Sequence, residues 1–337
     1  MQRSRLRTWM QRIVPAVLGL AAIAAVIVLL DPAAVGRALS RFNLELLPAI
    51  IGLWLAIYLL QGVRWHYLLR DAGARLRVRD SVILNAAGQT ITALIPLGDL
   101  TRAAFASEAS GQEFGTIAAT VTVQELTYTL MLILCALPVL LTLHHGILLV
   151  VLTLVGMAAI VVILTVSPVF HAVHRVIAHI PLLRRLLPAI DELQSETAEL
   201  LHRPDALAMS AVDLARALAA ITAFWLVVEA VSPGRVGWVD AAFVLALASI
   251  GGAISLIPGG VGASEAGLAG LLLLFAVDGG GAAGAALVQR VLATGLALAL
   301  GLGAYAIARR RLALGGLFEL VAHPQDKSAA RSGAGAS

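Results

Sequence analysis

Two charged side chains lie inside apolar stretches of this chain, in near-identical settings. Glu125 sits in Val123-Gln124-Glu125-Leu126 and Arg290 in Val288-Gln289-Arg290-Val291. A charge in such a stretch costs roughly 2.5–3.5 kcal/mol on insertion scales, so each needs a partner or a task. Glu125 lies about ten residues into its stretch, roughly 15 Å deep at 1.5 Å per residue. Arginine can hold an anionic headgroup, and a carboxylate can orient that arginine or exchange with the anion. Two readings stand side by side. Glu125 and Arg290 form an ion pair that locks the molecule, or they form an anion site in which Arg290 binds.

Each segment follows, by about thirty residues, a second pair of near-matches: Leu94-Ile95-Pro96-Leu97-Gly98-Asp99 and Leu256-Ile257-Pro258-Gly259-Gly260-Val261. Pro96, Gly98 and Pro258 are expected to break helices there. Asp99 and Arg102 are three residues apart, on one helical face. Gly259, Gly260 and Gly262 precede a helix start whose N–H groups and dipole suit a phosphate or carboxylate. The site expected from these residues has Arg102, Arg290, Gly259, Gly260 and Gly262 at a lipid headgroup. Asp99, Glu125 and Glu265 gate it or pair with the arginines. The plainer alternative is a tight turn against a neighbouring helix. Asn85, Gln89 and Thr92 form a polar stripe or bond neighbouring helices, and Asp213 with Arg216 reads as a local pair.

No residue is assigned a catalytic role, and no metal or cofactor is expected. His171 and His174 lack ligand partners at the usual spacing. The zinc-helix, phosphate-loop and serine-elbow motifs are missing, which argues against ATP-driven transport by this chain alone.

The elements that must position these residues follow from composition. The 337 residues are 60% hydrophobic and 13% charged, against about 25% charged in soluble domains, and the mean hydropathy is +0.92. This is an integral membrane protein. One cysteine, Cys135, excludes a disulfide framework. The pI near 9.8 comes from arginines at the ends of spans, so no nucleic acid is expected. Apolar windows long enough to cross about 30 Å of hydrocarbon occur at 13–30, 46–63, 115–142, 147–166, 207–231 and 283–306. Regions 81–112 and 238–277 are apolar but interrupted.

Arginine and lysine placement fixes the expected topology. Four lie at the N-terminus, five in 64–80, four in 167–206 and five after 306. Only Arg37, Arg41 and Arg235 occupy the other connections. If both interrupted regions re-enter the side they came from, the first group all faces the cytoplasm. The expected fold is all-α: about six full transmembrane helices plus two re-entrant helical hairpins in an inverted repeat, with both termini cytoplasmic. The repeats span about 44–142 and 207–306. A third match supports them, Ala49-Ile50 with Trp54-Leu55 against Ala220-Ile221 with Trp225-Leu226.

The membrane domain is expected over 1–314. The run at 13–30 reads as a retained first span, since Asp31-Pro32 follows without a cleavage pattern. An insertion at about 170–206 holds an amphipathic helix lying on the inner surface, or a solvated connector. The tail at 315–337 is expected to be partly disordered.

The run Pro96 to Arg102, then Glu125, then Pro258 to Gly262 with Glu265, then Arg290 resembles the membrane domain of lysylphosphatidylglycerol synthetases, whose small standalone relatives are called flippase-like. The resemblance covers about residues 10 to 312. The family often carries Arg after the position of Glu125 and an acid soon after; here Leu126 and Tyr128-Thr129 stand there. The resemblance implies a bacterial inner-membrane protein that moves polar-headed lipids between leaflets. Little follows Leu314, so the soluble aminoacyl-transfer domain of full-length synthetases is not expected. The leading function is transport of an anionic lipid, either a phospholipid or a polyprenyl-phosphate-linked glycan. The alternatives are a non-transporting partner of a lipid- or glycan-synthesis complex and, third, a membrane-embedded lipid-modifying enzyme. Expected partners are membrane lipids, a second copy, or lipid- or glycan-biosynthesis enzymes.

Overall fold

The computed structural model describes residues 32–92, 99–142, 209–254 and 262–312, with isolated positions between 151 and 170. The expected spans at 13–30 and 147–166, the insertion at 170–206 and the tail therefore lie outside the described residues. So do the tip residues Pro96, Gly98, Pro258, Gly259 and Gly260.

Among the described residues all regular structure is helical. The order is α1 (Pro32–Ser40), α2 (Leu47–Asp71), α3 (Val78–Thr92), α4 (Asp99–Ser110), α5 (Phe114–Thr142), α6 (Ser210–Val231), α7 (Trp238–Ile254), α8 (Ala263–Leu274) and α9 (Gly279–Leu312). Segments Leu44–Asp71, Phe114–Val139, Ser210–Val231 and Gly279–Leu312 are long and apolar enough to cross a membrane. The chain is a multi-pass membrane protein.

Helix α3, with 15 residues, reaches about 22 Å, and α4, with 12, about 18 Å. Each is short of the roughly 30 Å core. Helices α7 and α8 repeat this, with 17 and 12 residues. Within each pair the two helices pack on each other. A Cβ placed on Gly88 of α3 would sit 2.5 Å from Arg102 Cβ of α4, so only glycine permits that approach. A Cβ on Gly267 of α8 would meet Ala248 of α7 at 3.4 Å. Positions 88 and 102 are equidistant from Ile95, and 248 and 267 centre between Ile257 and Pro258. In sequence, both contacts are thus centred on the Leu-Ile-Pro segments.

Helix α2 is the hub. At one end the Asn43 N–H donates to the Ala230 carbonyl at 2.9 Å, and further along Arg64 meets Asp213, so α2 and α6 run antiparallel. Trp65 with Thr120, and Gln61 with Gln124, set α5 antiparallel to α2 in the same way. Helix α3 packs on α9, and α7 packs on α5. An apolar core joins α2, α5, α6, α7, α8 and α9 around Phe224, Ile221 and Val244. A smaller one, around Trp65, Phe105 and Ile117, seats the first short pair.

One boundary departs from expectation. The span drawn at 46–63 continues as helix to Asp71, so Arg64, counted with a cytoplasmic loop, is buried inside it. Asp213 makes this tolerable: Arg64 Nε donates to its Oδ2 at 2.9 Å. A charge matched this closely no longer marks the membrane surface.

A candidate anion site at mid-height of the helices

A cavity of about 300 Å³ opens between α2, α5, α6, α7 and α9, room for about ten waters. Its apolar wall includes Trp54, Ile57 and Leu245, and its polar wall Tyr58, Gln61, Gln89, Tyr128, Ser249 and Gln289. Arg216 and Arg290 are its cations. The four spans have midpoints near residues 57, 126, 220 and 295. Tyr58, Tyr128, Ala220 and Ala293 lie within about two residues of those midpoints, so the cavity sits near half-height. Gln89 and Ser249 come from the last turns of α3 and α7, so both broken pairs deliver residues to it.

Behind one wall lies a polar network. Arg102 is fully buried. Its Nη1 donates to Asn85 Oδ1 at 2.8 Å and to Gln124 Oε1 at 3.0 Å, and its Nη2 to Glu125 Oε1 at 2.7 Å. The guanidinium also lies 5.5 Å from the Trp65 ring centroid, within cation–π range. Gln61 Nε2 donates to the same Glu125 oxygen at 3.2 Å, and Gln61 Oε1 accepts from Asn85 and Gln89. Gln124 Nε2 donates to the Gln61 carbonyl at 2.7 Å, completing a closed set of buried amides.

The other oxygen of Glu125 faces Arg216 Nη2 at 3.5 Å. Arg216 lies over the Tyr128 ring, 3.8 Å from its centroid. Asp213, one turn earlier on α6, accepts from Arg64 and from Thr127 Oγ1 at 2.7 Å. Three arginines thus share two carboxylates here: Arg64, Arg102 and Arg216 against Glu125 and Asp213. On the far wall Arg290 pairs with Glu265, adding one charge of each sign. The described side chains around the cavity therefore carry one positive charge in excess.

Several expected roles change. The ion pairs formed are Arg102–Glu125 and Arg290–Glu265; the expected Glu125–Arg290 pair is replaced by these two. Each joins the helix after a tip to the long helix that follows, and their polarities are opposite. Arg102, expected at the headgroup, is enclosed behind Glu125 and is not a cavity wall. Gly262 was expected to offer its N–H to a ligand. That N–H instead donates to Glu265 Oε2, because an acid three residues into a helix reaches back to the capping position. Gly262 has φ +84°, which favours glycine there. Asp213 and Arg216, expected as a local pair, turn to Arg64 and to Glu125. Asn85 and Gln89 do bond a neighbouring helix. Asp99 opens α4, but its side chain is not among those described. Among the described residues no three His, Cys, Asp or Glu side chains gather as a metal site would require.

Arg216 and Tyr128 are the residues that sequence reasoning missed. Tyr128 serves a cation through its ring face. Arg216 was visible as a charge inside an apolar span, the same signal that picked out Glu125. A search for similar curated proteins finds no match. The family described as Lysylphosphatidylglycerol synthase TM region matches residues 16–301. That match covers most of the 337 residues, and the chain belongs to the lysylphosphatidylglycerol synthase transmembrane-region family.

Proposed function

We propose that this protein is a flippase-like transporter that carries an anionic, polar-headed lipid between the leaflets of the bacterial inner membrane. The family ties the chain to lipid handling. The observation that carries the reading is a half-height cavity with Arg216 and Arg290 in its walls. A lipid phosphate complements these guanidiniums in charge, and the amides of Gln89 and Gln289 offer hydrogen bonds to a polar head. The reading is transport, with no covalent step assigned to the chain.

The architecture proposed for this is an inverted repeat. Helices α2 to α5 and α6 to α9 follow one order: long, short, short, long. The leading helices α2 and α6 are antiparallel, and α3 packs on α9 as α7 packs on α5. In this reading each broken pair is a re-entrant hairpin entering from one side, with Gln89 and Ser249 of the two pairs at the cavity. Such midplane sites between inverted halves are a recurring design of transporters. Six full spans with both termini cytoplasmic complete the proposal.

The test is a reconstituted flip assay in vesicles with fluorescent phosphatidylglycerol, comparing wild type with Arg216→Gln and Arg290→Gln. Each variant is expected to lose about tenfold or more of the rate, the loss of one charge-assisted contact. Wild-type rates in both variants, with the fold intact, would reject the assignment.

A further inference from the structure

Glu125 holds its two arginines unequally. Its Oε1 is fixed by Arg102 at 2.7 Å and by Gln61 at 3.2 Å, both ordinary hydrogen bonds. Its Oε2 lies 3.5 Å from Arg216, outside that range though still an ion pair. Arg102 is fully buried, while a third of the Glu125 side chain is open. Arg216 has a second support, the Tyr128 face at 3.8 Å. That contact keeps the guanidinium at the cavity whether or not the carboxylate is there. Arg290 differs, because its partner Glu265 is buried and also caps α8.

We propose that Glu125 is an internal stand-in for the phosphate of the cargo: in the empty protein it occupies Arg216, and the arriving anion takes its place. The proposal rests on the transport reading above. Displacement is inexpensive because Glu125 remains neutralised by Arg102 and hydrogen-bonded to Gln61. The contact given up is the slack one, and Arg216 stays in place on Tyr128. The reverse step serves release. When the cavity reopens, the tethered carboxylate competes with the phosphate for Arg216 and lets it leave. Arg290 is the fixed cation of the site and Arg216 the exchanging one.

The experiment uses the full chain in nanodiscs and reads intrinsic tryptophan fluorescence, to which Trp54 in the cavity wall contributes, during titration with two probes, inorganic phosphate and dioctanoyl phosphatidic acid. Glu125→Gln removes the competitor while its amide oxygen can still accept from Arg102. It is expected to bind phosphatidic acid about tenfold more tightly, as removing a facing charge allows, and to flip lipid more slowly than wild type. Adding Arg216→Gln should abolish the gain. A parallel gain for inorganic phosphate identifies the phosphate group as what is recognised; a gain for the lipid alone identifies a lipid-headgroup site. Should Glu125→Gln not fold, Tyr128→Leu tests the same exchange: it should weaken binding severalfold while Tyr128→Phe does not.

Unchanged or weaker binding in Glu125→Gln overturns the stand-in role, and so does equal behaviour of the two Tyr128 variants. If Arg216→Gln alone still abolishes binding in that case, the transport reading survives. If no variant and no wild type binds either probe, both readings fall.

Discussion

Adding one methyl group at Gly88 tests whether the first broken pair closes as described. A Cβ there would lie 2.5 Å from Arg102 Cβ, 3.0 Å from its Cα and 3.1 Å from its backbone nitrogen. Carbon atoms in contact sit about 3.5–4.0 Å apart, so α3 and α4 must part by about an ångström. No flexible side-chain end absorbs this, since the atoms struck are backbone and Cβ. Overpacking of this kind costs about 1–3 kcal/mol. The same displacement moves the Arg102 guanidinium, whose bonds to Asn85, Gln124 and Glu125 span 2.7–3.0 Å. Lengthened by about an ångström, they leave hydrogen-bonding range, and Glu125 loses its anchor. Gly52, in α2, is the control, because a Cβ there meets nothing within 4 Å. Gly52→Ala should be neutral or gain up to about 1 kcal/mol from helix propensity. The assay heats both proteins in detergent and follows the folded fraction by size exclusion, with lipid flip rates measured in parallel. Gly88→Ala should melt well below wild type and flip slowly, while Gly52→Ala does neither. If the two alanines behave alike, the arms do not meet at Gly88, and the fold-back centred on Ile95 is wrong.

Two further outcomes follow from the same geometry. Asp213→Asn should destabilise by about 3–5 kcal/mol, since it removes the carboxylate charge paired with the buried Arg64. The double substitution Arg64→Met with Asp213→Leu should recover much of that loss, and no recovery in thermal melts would mean the pair does more than neutralise itself. In a Cys135→Ala background, single cysteines at the exposed positions Arg75 and Arg235 should react with an impermeant maleimide from opposite faces of oriented vesicles. Labelling of both from one face would refute the antiparallel entry of the two hairpins.

How much of this was legible in the sequence depends on which physical constraint wrote each feature. The close packing of α3 on α4 and of α7 on α8 was legible because each pair flanks a Pro- and Gly-bearing interruption of an apolar run. The importance of Glu125 and Arg290 was legible because a charge in an apolar span is costly wherever it falls. Their partners were not. A sign change between two matching positions is satisfied by one pair across the halves or by one pair within each half. Sequence spacing does not separate these cases, because the deciding residues, Arg102 and Glu265, sit at nearly matched positions with the opposite signs. The sign change therefore occurs at both matched positions, and the charges cancel within each half. Arg64 was misread for the related reason that its partner, Asp213, is 149 residues away, so a buried arginine looked like the edge of a loop. With Glu125 and Arg290 each paired to a carboxylate or guanidinium of the neighbouring helix, Arg216 is the arginine to which the proposal above gives the exchanging role. In the proposed exchange both broken pairs supply wall residues, and the exchanging cation comes from α6, the helix that opens the second repeat.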